Sequence, residues 1–199
     1  IENAREHAMA LVRVAGALAR VGDPDRVRLI AVNAVDAAER IEDRWERARA
    51  LVGVADTLAR AGMTDEALAI VERTEFPLER ARALVGVASA LVGMGDADRA
   101  RWVAEKAAST AERIEKPRER ARALGEVADA LVGVGLTDKA LAIVERIEDR
   151  WERAQALVGV ASALIGVGDG NRARRVAEKA ARTVEQMEHP WERAQALVG

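Results

Sequence analysis

The stretch at 45–55 reads WERARALVGVA, and close copies of it recur along the chain. The copies begin at positions 5, 45, 78, 118, 151 and 191, so successive starts differ alternately by 40 and by 33. The first copy is diverged and the last is truncated. A fixed period of this size is typical of solenoid proteins, in which each repeat stacks on its neighbours. The repetition therefore predicts the kind of fold, but it does not identify a partner.

Written from the repeat boundaries, the chain is one array with units 1–40, 41–73, 74–113, 114–146 and 147–186 and a partial unit 187–199. The true repeat is a pair of units, one long and one short. Residues 45–77 and 118–150 share 21 of 33 positions, and residues 78–117 and 151–190 share 28 of 40. Such similarity indicates recent duplication or deliberate consensus design. Because the chain starts at a repeat boundary and stops inside a repeat, we expect it to be a piece of a longer array.

Each unit is predicted to form two helices. In the first helix, Ala48, Leu51, Val54, Ala55 and Leu58 follow the 3–4 spacing of a helical stripe. A glycine lies four residues after the last leucine in every full unit, where a helix end favours the left-handed conformation. The predicted N-caps of the first helices are Asn3, Asp43 and Asp149, those of the second helices are Asp23, Thr64, Asp96, Thr137 and Asp169, and all four prolines stand at helix starts.

The long and short units differ by seven residues in the second helix. Seven residues make two helical turns to within about 20°. The extension therefore lengthens the helix without rotating its packing face. This explains how units of 40 and of 33 residues can alternate in one array.

Composition narrows the range of functions. The chain has 31 basic and 33 acidic residues, so it lacks the basic excess typical of nucleic-acid or anionic-membrane surfaces. It has no cysteine, which fits a reducing, cytoplasmic compartment, and no apolar run approaches the ~20 residues of a membrane span. We therefore expect neither nucleic acid nor a membrane as partner.

The pattern resembles the tetratricopeptide repeat (TPR), a helix–turn–helix unit. With Leu51 at that family's Trp position, the family's remaining positions fall on Val54, Ala55, Leu58, Gly62, Ala67 and Val71, with Pro77 near its terminal proline. The small residues and the turn match, whereas aliphatic residues replace the aromatic ones. The resemblance implies an all-α fold, a right-handed α-solenoid of antiparallel helix hairpins. HEAT- or armadillo-like pairs are the alternative, because a period of about 40 residues also suits them.

The resemblance also implies that first helices line a concave binding face. The family's groove positions fall on Arg49, Arg82, Arg122 and Gln155, on Val52, Val85, Gly125 and Val158, and on Asp56, Ser89, Asp129 and Ser162. One interpretation is a peptide groove in which arginines hold carboxylates. The other is that these arginines pair with neighbouring Glu or Asp residues along the stack. The Lys and Asn clamp that some members use for C-terminal carboxylates is absent.

Two further residue types allow a functional and a structural interpretation. Trp45, Trp102, Trp151 and Trp191 are either binding anchors or covers over gaps between helices, and we favour the second. Gly53, Gly86 and Gly159 lie inside predicted helices, which indicates close approach of another backbone, most simply that of the next helix. The Glu-Arg pairs that open the first helices are interpreted as solvated or pairing surface.

Catalysis has little support in the sequence. The two histidines, His7 and His189, lie in different units, so we expect no metal site, no cofactor and no enzyme activity. The leading hypothesis is a non-catalytic scaffold that binds a protein or peptide. The alternatives are a designed or consensus repeat without natural ligand and an RNA-binding helical repeat. We also expect end-to-end self-association, because the terminal helices carry no polar cap.

Overall fold

A computed structural model describes residues 2–186, and all regular structure within them is helical. The helices are α1 (Glu2–Val21), α2 (Pro24–Glu39), α3 (Arg44–Arg60), α4 (Thr64–Glu72), α5 (Pro77–Gly93), α6 (Ala97–Glu112), α7 (Pro117–Gly133), α8 (Thr137–Glu145), α9 (Arg150–Gly166) and α10 (Gly170–Glu185). The predicted all-α class and the helical repeat are confirmed. The partial unit 187–199, with Trp191 and the predicted terminal contact, lies outside the described residues.

The helices pack in two compact units, and the boundary between them falls inside α6, after Val103. In the first unit, α1 packs against α2 and α3, and α3 packs against α4 and α5. In the second unit, α7 packs against α8 and α9, and α9 packs against α10. Odd-numbered helices are therefore the first helices of the hairpins, and within each unit they contact their own second helix and the next first helix.

Every hairpin turn is built on a glycine with positive φ. The five glycines are Gly22, Gly62, Gly95, Gly135 and Gly168, with φ between 78° and 85°. At the second turn, Gly62 N–H donates to Ala59 O at 3.0 Å and Met63 N–H donates to Leu58 O at 2.9 Å. The same pair of bonds recurs at the other four turns. This is the Schellman motif, and it confirms the predicted glycine stops.

The residue after each glycine caps the second helix, which corrects part of the prediction. Asp23, Asp96 and Asp169 accept a hydrogen bond from the backbone N–H three residues later, as predicted. Thr64 and Thr137 do not act as N-caps, because α4 and α8 begin at them. The N-caps there are Met63 and Leu136, which form no side-chain cap bond. The glycine turn fixes the position of the cap, so a good capping residue one place later cannot replace it.

The first helices start in the two ways that the sequence predicts, with one exception. Asp43 and Asp149 accept bonds from the backbone N–H of Glu46 at 2.8 Å and Glu152 at 3.0 Å. Pro77 and Pro117 each occupy the first residue of a helix. The prediction for Asn3 is wrong, because α1 already begins at Glu2.

The core consists of small and aliphatic side chains on the predicted stripe. Ala48, Leu51, Val54, Ala55 and Leu58 are at most 4 % exposed. Equivalent alanines, valines and leucines are buried in α5, α7 and α9. Because alanine adds little bulk, the helix axes can approach closely where alanines face each other. The second helices alternate between 16 and 9 residues, which is the predicted seven-residue difference.

Successive second helices are joined by ion pairs that repeat an offset of 34 residues. In the first unit the pairs are Glu39–Arg73 and Asp65–Arg99. In the second unit they are Glu105–Lys139, Glu112–Arg146, Asp138–Arg172 and Glu145–Lys179. The side chains are all well exposed, so each pair contributes less than about 1 kcal/mol. Their regular offset nevertheless favours one register between neighbouring helices.

The arginines of the Glu-Arg pairs have a structural role that the sequence interpretation missed. Arg80 is half-buried, and its Nε and Nη2 donate to the carbonyl oxygen of Thr74 at 2.9 and 2.6 Å. Arg47 donates to Ile41 O at 2.7 Å and Arg120 to Ile114 O at 3.2 Å, six residues upstream in each case. Each bond satisfies a carbonyl in the loop between hairpins, two residues past the end of the preceding second helix. The residues are therefore not simply solvated surface.

Replacing Gly95 by alanine should destabilise the chain by about 1–2 kcal/mol, because φ is +79° and the left-handed region is strained for a residue with a Cβ. Gly93 is the matched control, since both sites have open space but only Gly95 has a positive φ. Gly93→Ala should be neutral or stabilising by up to about 1 kcal/mol. Denaturant unfolding measures both. Equal effects at the two positions would contradict the role assigned to the turn.

Replacing Arg80 by alanine should cost about 1.5–3 kcal/mol, since it removes charged donors from a half-buried carbonyl. Arg118 is the control because its side chain is exposed in the first turn of α7. Arg118→Ala should change the free energy of unfolding by no more than about 0.5 kcal/mol. Chemical denaturation measures the free energy of unfolding of both variants. No change in Arg80→Ala would show that water replaces the guanidinium without loss of stability.

Candidate functional site

The predicted groove residues lie on first helices, and none of them is buried. We call those of the first unit the α3/α5 patch, which consists of Arg49, Val52, Asp56, Arg82, Val85 and Ser89. Those of the second unit form the α7/α9 patch, which consists of Arg122, Asp129, Gln155, Val158 and Ser162. Within each helix the residues are three, four or seven positions apart, so they share one face. Their use in binding stays a prediction.

The structure brings the residues of each patch together across a pair of adjacent first helices. In the first unit, Asp56 Oδ1 lies over Gly86 of α5, where a Cβ would be 3.6 Å away. In the second unit, Asp129 lies over Gly159 of α9, where a Cβ would be 2.6 Å from Oδ1 and 2.8 Å from Oδ2. Each aspartate therefore projects onto a glycine of the neighbouring first helix.

The arginines of the α3/α5 patch make contacts within their own helices. The guanidinium of Arg49 lies over the ring of Trp45, 4.7 Å from its centroid. Arg82 lies 3.6 Å from a carboxylate oxygen of Glu79, which is nearly buried. The sequence interpretation considered ion pairs along the stack, and the contact of Arg49 is of a different kind. Stacking on an aromatic ring orients the guanidinium plane and leaves its N–H groups available at the edge.

The two aspartates have different electrostatic surroundings. Asp56 forms an ion pair with Arg60, one turn later, at 3.0 Å. Asp129 has Gly133 at the corresponding place, and its Oδ1 is buried without a hydrogen-bond partner. Burial, and secondly the charge of Glu126, raise the pKa of Asp129 to about 6. The second unit therefore holds a carboxyl group whose charge changes near neutral pH.

The serine hydroxyls on the two patches donate to the backbone of their own helices. Ser89 Oγ donates to Val85 O and Ser162 Oγ donates to Val158 O, each at 3.0 Å. Because the hydroxyl proton is used by the helix backbone, the oxygen lone pairs face outward. The hydroxyls therefore suit N–H donors of a ligand.

The glycines within the first helices do not mark the backbone contacts that the sequence predicted at Gly53, Gly86 and Gly159. A Cβ on Gly53 would meet the side chain of Val12 at 3.4 Å, and the other two face aspartate carboxylates. The neighbouring group is thus a side chain of the preceding first helix, which corrects the prediction. Gly125 comes nearer to a backbone contact, since a Cβ on Gly125 would lie 3.3 Å from the Cβ and 3.7 Å from the Cα of Ala156.

Among the described tryptophans, Trp151 fits the covering role that the sequence analysis favoured. Trp151 packs against Ala154 and Val184, and so covers a gap between helices. Trp45 and Trp102 remain 46 % and 55 % exposed. Their sequence context does not distinguish them, because exposure depends on which neighbouring side chains reach the indole.

The described residues contain no group of three or more His, Asp or Glu side chains placed to hold a metal ion. Among the same residues, no helix is both long and apolar enough to cross a bilayer.

These observations define the class: the chain has a TPR-like fold of tandem helical hairpins. Ton1535 from Thermococcus onnurineus NA1 is similar at 19 % sequence identity and a TM-score of 0.58, with 94 % of this chain and 56 % of Ton1535 covered. The chain thus spans little more than half the length of that protein. This likeness shows the fold alone. No protein-family model matches the chain, and a comparison with curated proteins finds no relative.

Two other solved structures show weaker similarity. One is the kinesin light chain TPR-like repeat protein from Podosopora anserina, at 15 % identity and a TM-score of 0.49, covering 92 % of this chain and 96 % of that one. The other is a Rap protein complexed with competence and sporulation factor, at 18 % identity and a TM-score of 0.44, covering 99 % and 63 %.

Gly86→Ala should stabilise the first unit by up to about 1 kcal/mol, because the added methyl meets Asp56 only at an ordinary contact distance of 3.6 Å. Gly159→Ala should lack this gain, since the methyl would lie 2.6 Å from Asp129 Oδ1 and must displace the carboxylate. An Asp129→Ala background should restore the gain, and a double-mutant cycle from thermal unfolding measures the coupling. No coupling between positions 129 and 159 would contradict the contact.

Proposed function

We propose that the chain is a non-catalytic scaffold that binds a protein or peptide segment on the first-helix face of its hairpins. The observation that carries the proposal is that every residue of the α3/α5 and α7/α9 patches stays outside the core. The core uses the opposite stripe of the same helices. The patches are therefore at least partly accessible to a ligand, as a binding surface must be.

The chemistry of the α3/α5 patch favours an extended segment that carries a carboxylate. Arg49 is held by Trp45 and can present parallel N–H groups to a carboxylate in a bidentate bond. Val52 and Val85 are half-buried and supply apolar contact area between the charged groups. Ser89 offers an acceptor for a backbone N–H of the bound segment. The patch thus combines apolar contacts with a small number of oriented polar groups, as ligand sites usually do.

A displayed library of random peptides tests the proposal directly. Selected peptides should carry an acidic side chain or a free C-terminal carboxylate, and amide shifts on binding should map to α3 and α5. The double variant Arg49→Glu/Arg82→Glu should weaken binding at least tenfold, because each lost charge-assisted bond contributes about 1.5–3 kcal/mol and each ~1.4 kcal/mol is tenfold.

Arg26→Glu is the matched control, since this side chain is 74 % exposed and lies on α2, a second helix of the same unit. It should leave the affinity within about twofold, as expected of a charge remote from the ligand. Failure to enrich any peptide, or shifts confined to second helices, would overturn the proposal.

A further inference from the structure

The Asp129 carboxylate is wedged between two helices of the second unit. Its oxygens lie 2.6 and 2.8 Å from the position that a Cβ on Gly159 would take, so only a glycine in α9 leaves room for it. Oδ1 is excluded from solvent and has no hydrogen-bond donor. A buried oxygen without a donor is costly when it carries charge and much less so when it is protonated.

The internal duplication supplies a comparison within the chain. Asp56 occupies the same place in the first unit, but its contact with Gly86 is looser, at 3.6 Å, and Arg60 neutralises it. In the second unit the position of Arg60 is taken by Gly133, and that of Gly53 is taken by Glu126. The duplicated site has thus lost its cation and gained an acid one turn away.

The other elements packed on α7 bring no compensating charge to Asp129. On α9, Gln155 and Ser162 flank Gly159, and neither titrates. The charged residues of α9 are confined to its first turn, which is Arg150, Glu152 and Arg153. The charged residues of α8 pair elsewhere, as Lys139–Glu105, Asp138–Arg172 and Glu145–Lys179. Among the described residues of the second unit, Glu126 is therefore the charged group that acts on Asp129.

We propose that Asp129 makes the packing of α7 against α9 sensitive to protons, so that this contact is tight when the carboxyl group is protonated and loosened when it ionises. The proposal concerns the free chain and does not depend on peptide binding. It assigns a pH-dependent element to one of two duplicated sites.

The direction of the effect follows from proton linkage. The pKa of Asp129 rises from 3.8 in the ordinary carboxyl to about 6 in the fold. Between these two values the folded chain binds more protons than the unfolded chain at this site. Its contribution to stability is therefore complete below 3.8 and is lost as the pH rises through about 6. Most carboxylates in ion pairs stabilise the fold as the pH rises, which is the opposite direction. The effect of Asp129 must therefore be measured as a difference between matched variants.

The first experiment compares Asp129→Asn with Asp56→Asn by thermal unfolding across the range from about pH 4 to about pH 8. Asn keeps the shape but cannot ionise. Asp129→Asn should melt above the parent at the alkaline end, with a difference that shrinks as the pH falls through about 6. Asp56→Asn should melt at or below the parent at the alkaline end, because it loses its pair with Arg60. A difference between Asp129→Asn and the parent that does not change with pH would overturn the proposal.

The second experiment follows the Asp129 carboxyl carbon by NMR in the full chain, and its first measurement, the midpoint of the parent, needs no variant. The parent should titrate with a midpoint near 6. Gly133→Arg restores the cation found in the first unit, and Glu126→Gln removes the repelling charge, so each should lower the midpoint. Gly133 has open space around it and accepts a side chain. A parent midpoint near 4, or one unaffected by both substitutions, would also overturn the proposal.

Discussion

The left-handed glycine at each hairpin turn is the constraint on which the rest of the fold depends. It allows the following N–H to reach back to a leucine carbonyl, for example Met63 N–H to Leu58 O at 2.9 Å. The same leucine buries its side chain between the two helices, so one residue both closes the turn and fills the core. The chain reverses within a few residues, and alanine-rich faces are thereby brought into contact. Any residue with a Cβ at the glycine strains this reversal.

The second constraint acts where one hairpin follows another. There the chain relies on Arg47, Arg80 and Arg120, each of which donates to a carbonyl six residues upstream. A loop between helices leaves carbonyl groups without partners, and burying them unpaired would be costly. Ion pairs between second helices repeat an offset of 34 residues in both units. Long and short second helices differ by two whole turns, so the helix faces stay aligned. The same 34-residue offset can therefore join a long helix to a short one.

Local rules predicted the features that depend on one or two residues. The glycine turns, the aspartate caps and the prolines at helix starts follow from intrinsic backbone preferences, and the structure confirms those that fall within residues 2–186. The errors concern features that depend on neighbours. Thr64 is a good capping residue by type, but the turn had already placed the cap at Met63. The role of Arg80 required knowledge of how far the chain turns back after Thr74, which periodicity alone does not give. The patches were located by resemblance, whereas the unpaired state of Asp129 depends on which side chains surround it.

Duplication explains why the informative differences are few and local. Both copies have the same helices and turns. A residue that differs between them therefore acts within the same backbone geometry. Between α2 and α4, Val32 is 55 % exposed beside a cavity of about 320 Å³. The corresponding residue in the next long unit, 74–113, is Glu105, which pairs with Lys139 at 2.7 Å. Position 60 holds an arginine that neutralises Asp56, whereas position 133 holds a glycine, which supplies no cation to Asp129. The repeated residues specify the fold, and any functional difference between the copies must therefore arise at the positions where they diverge.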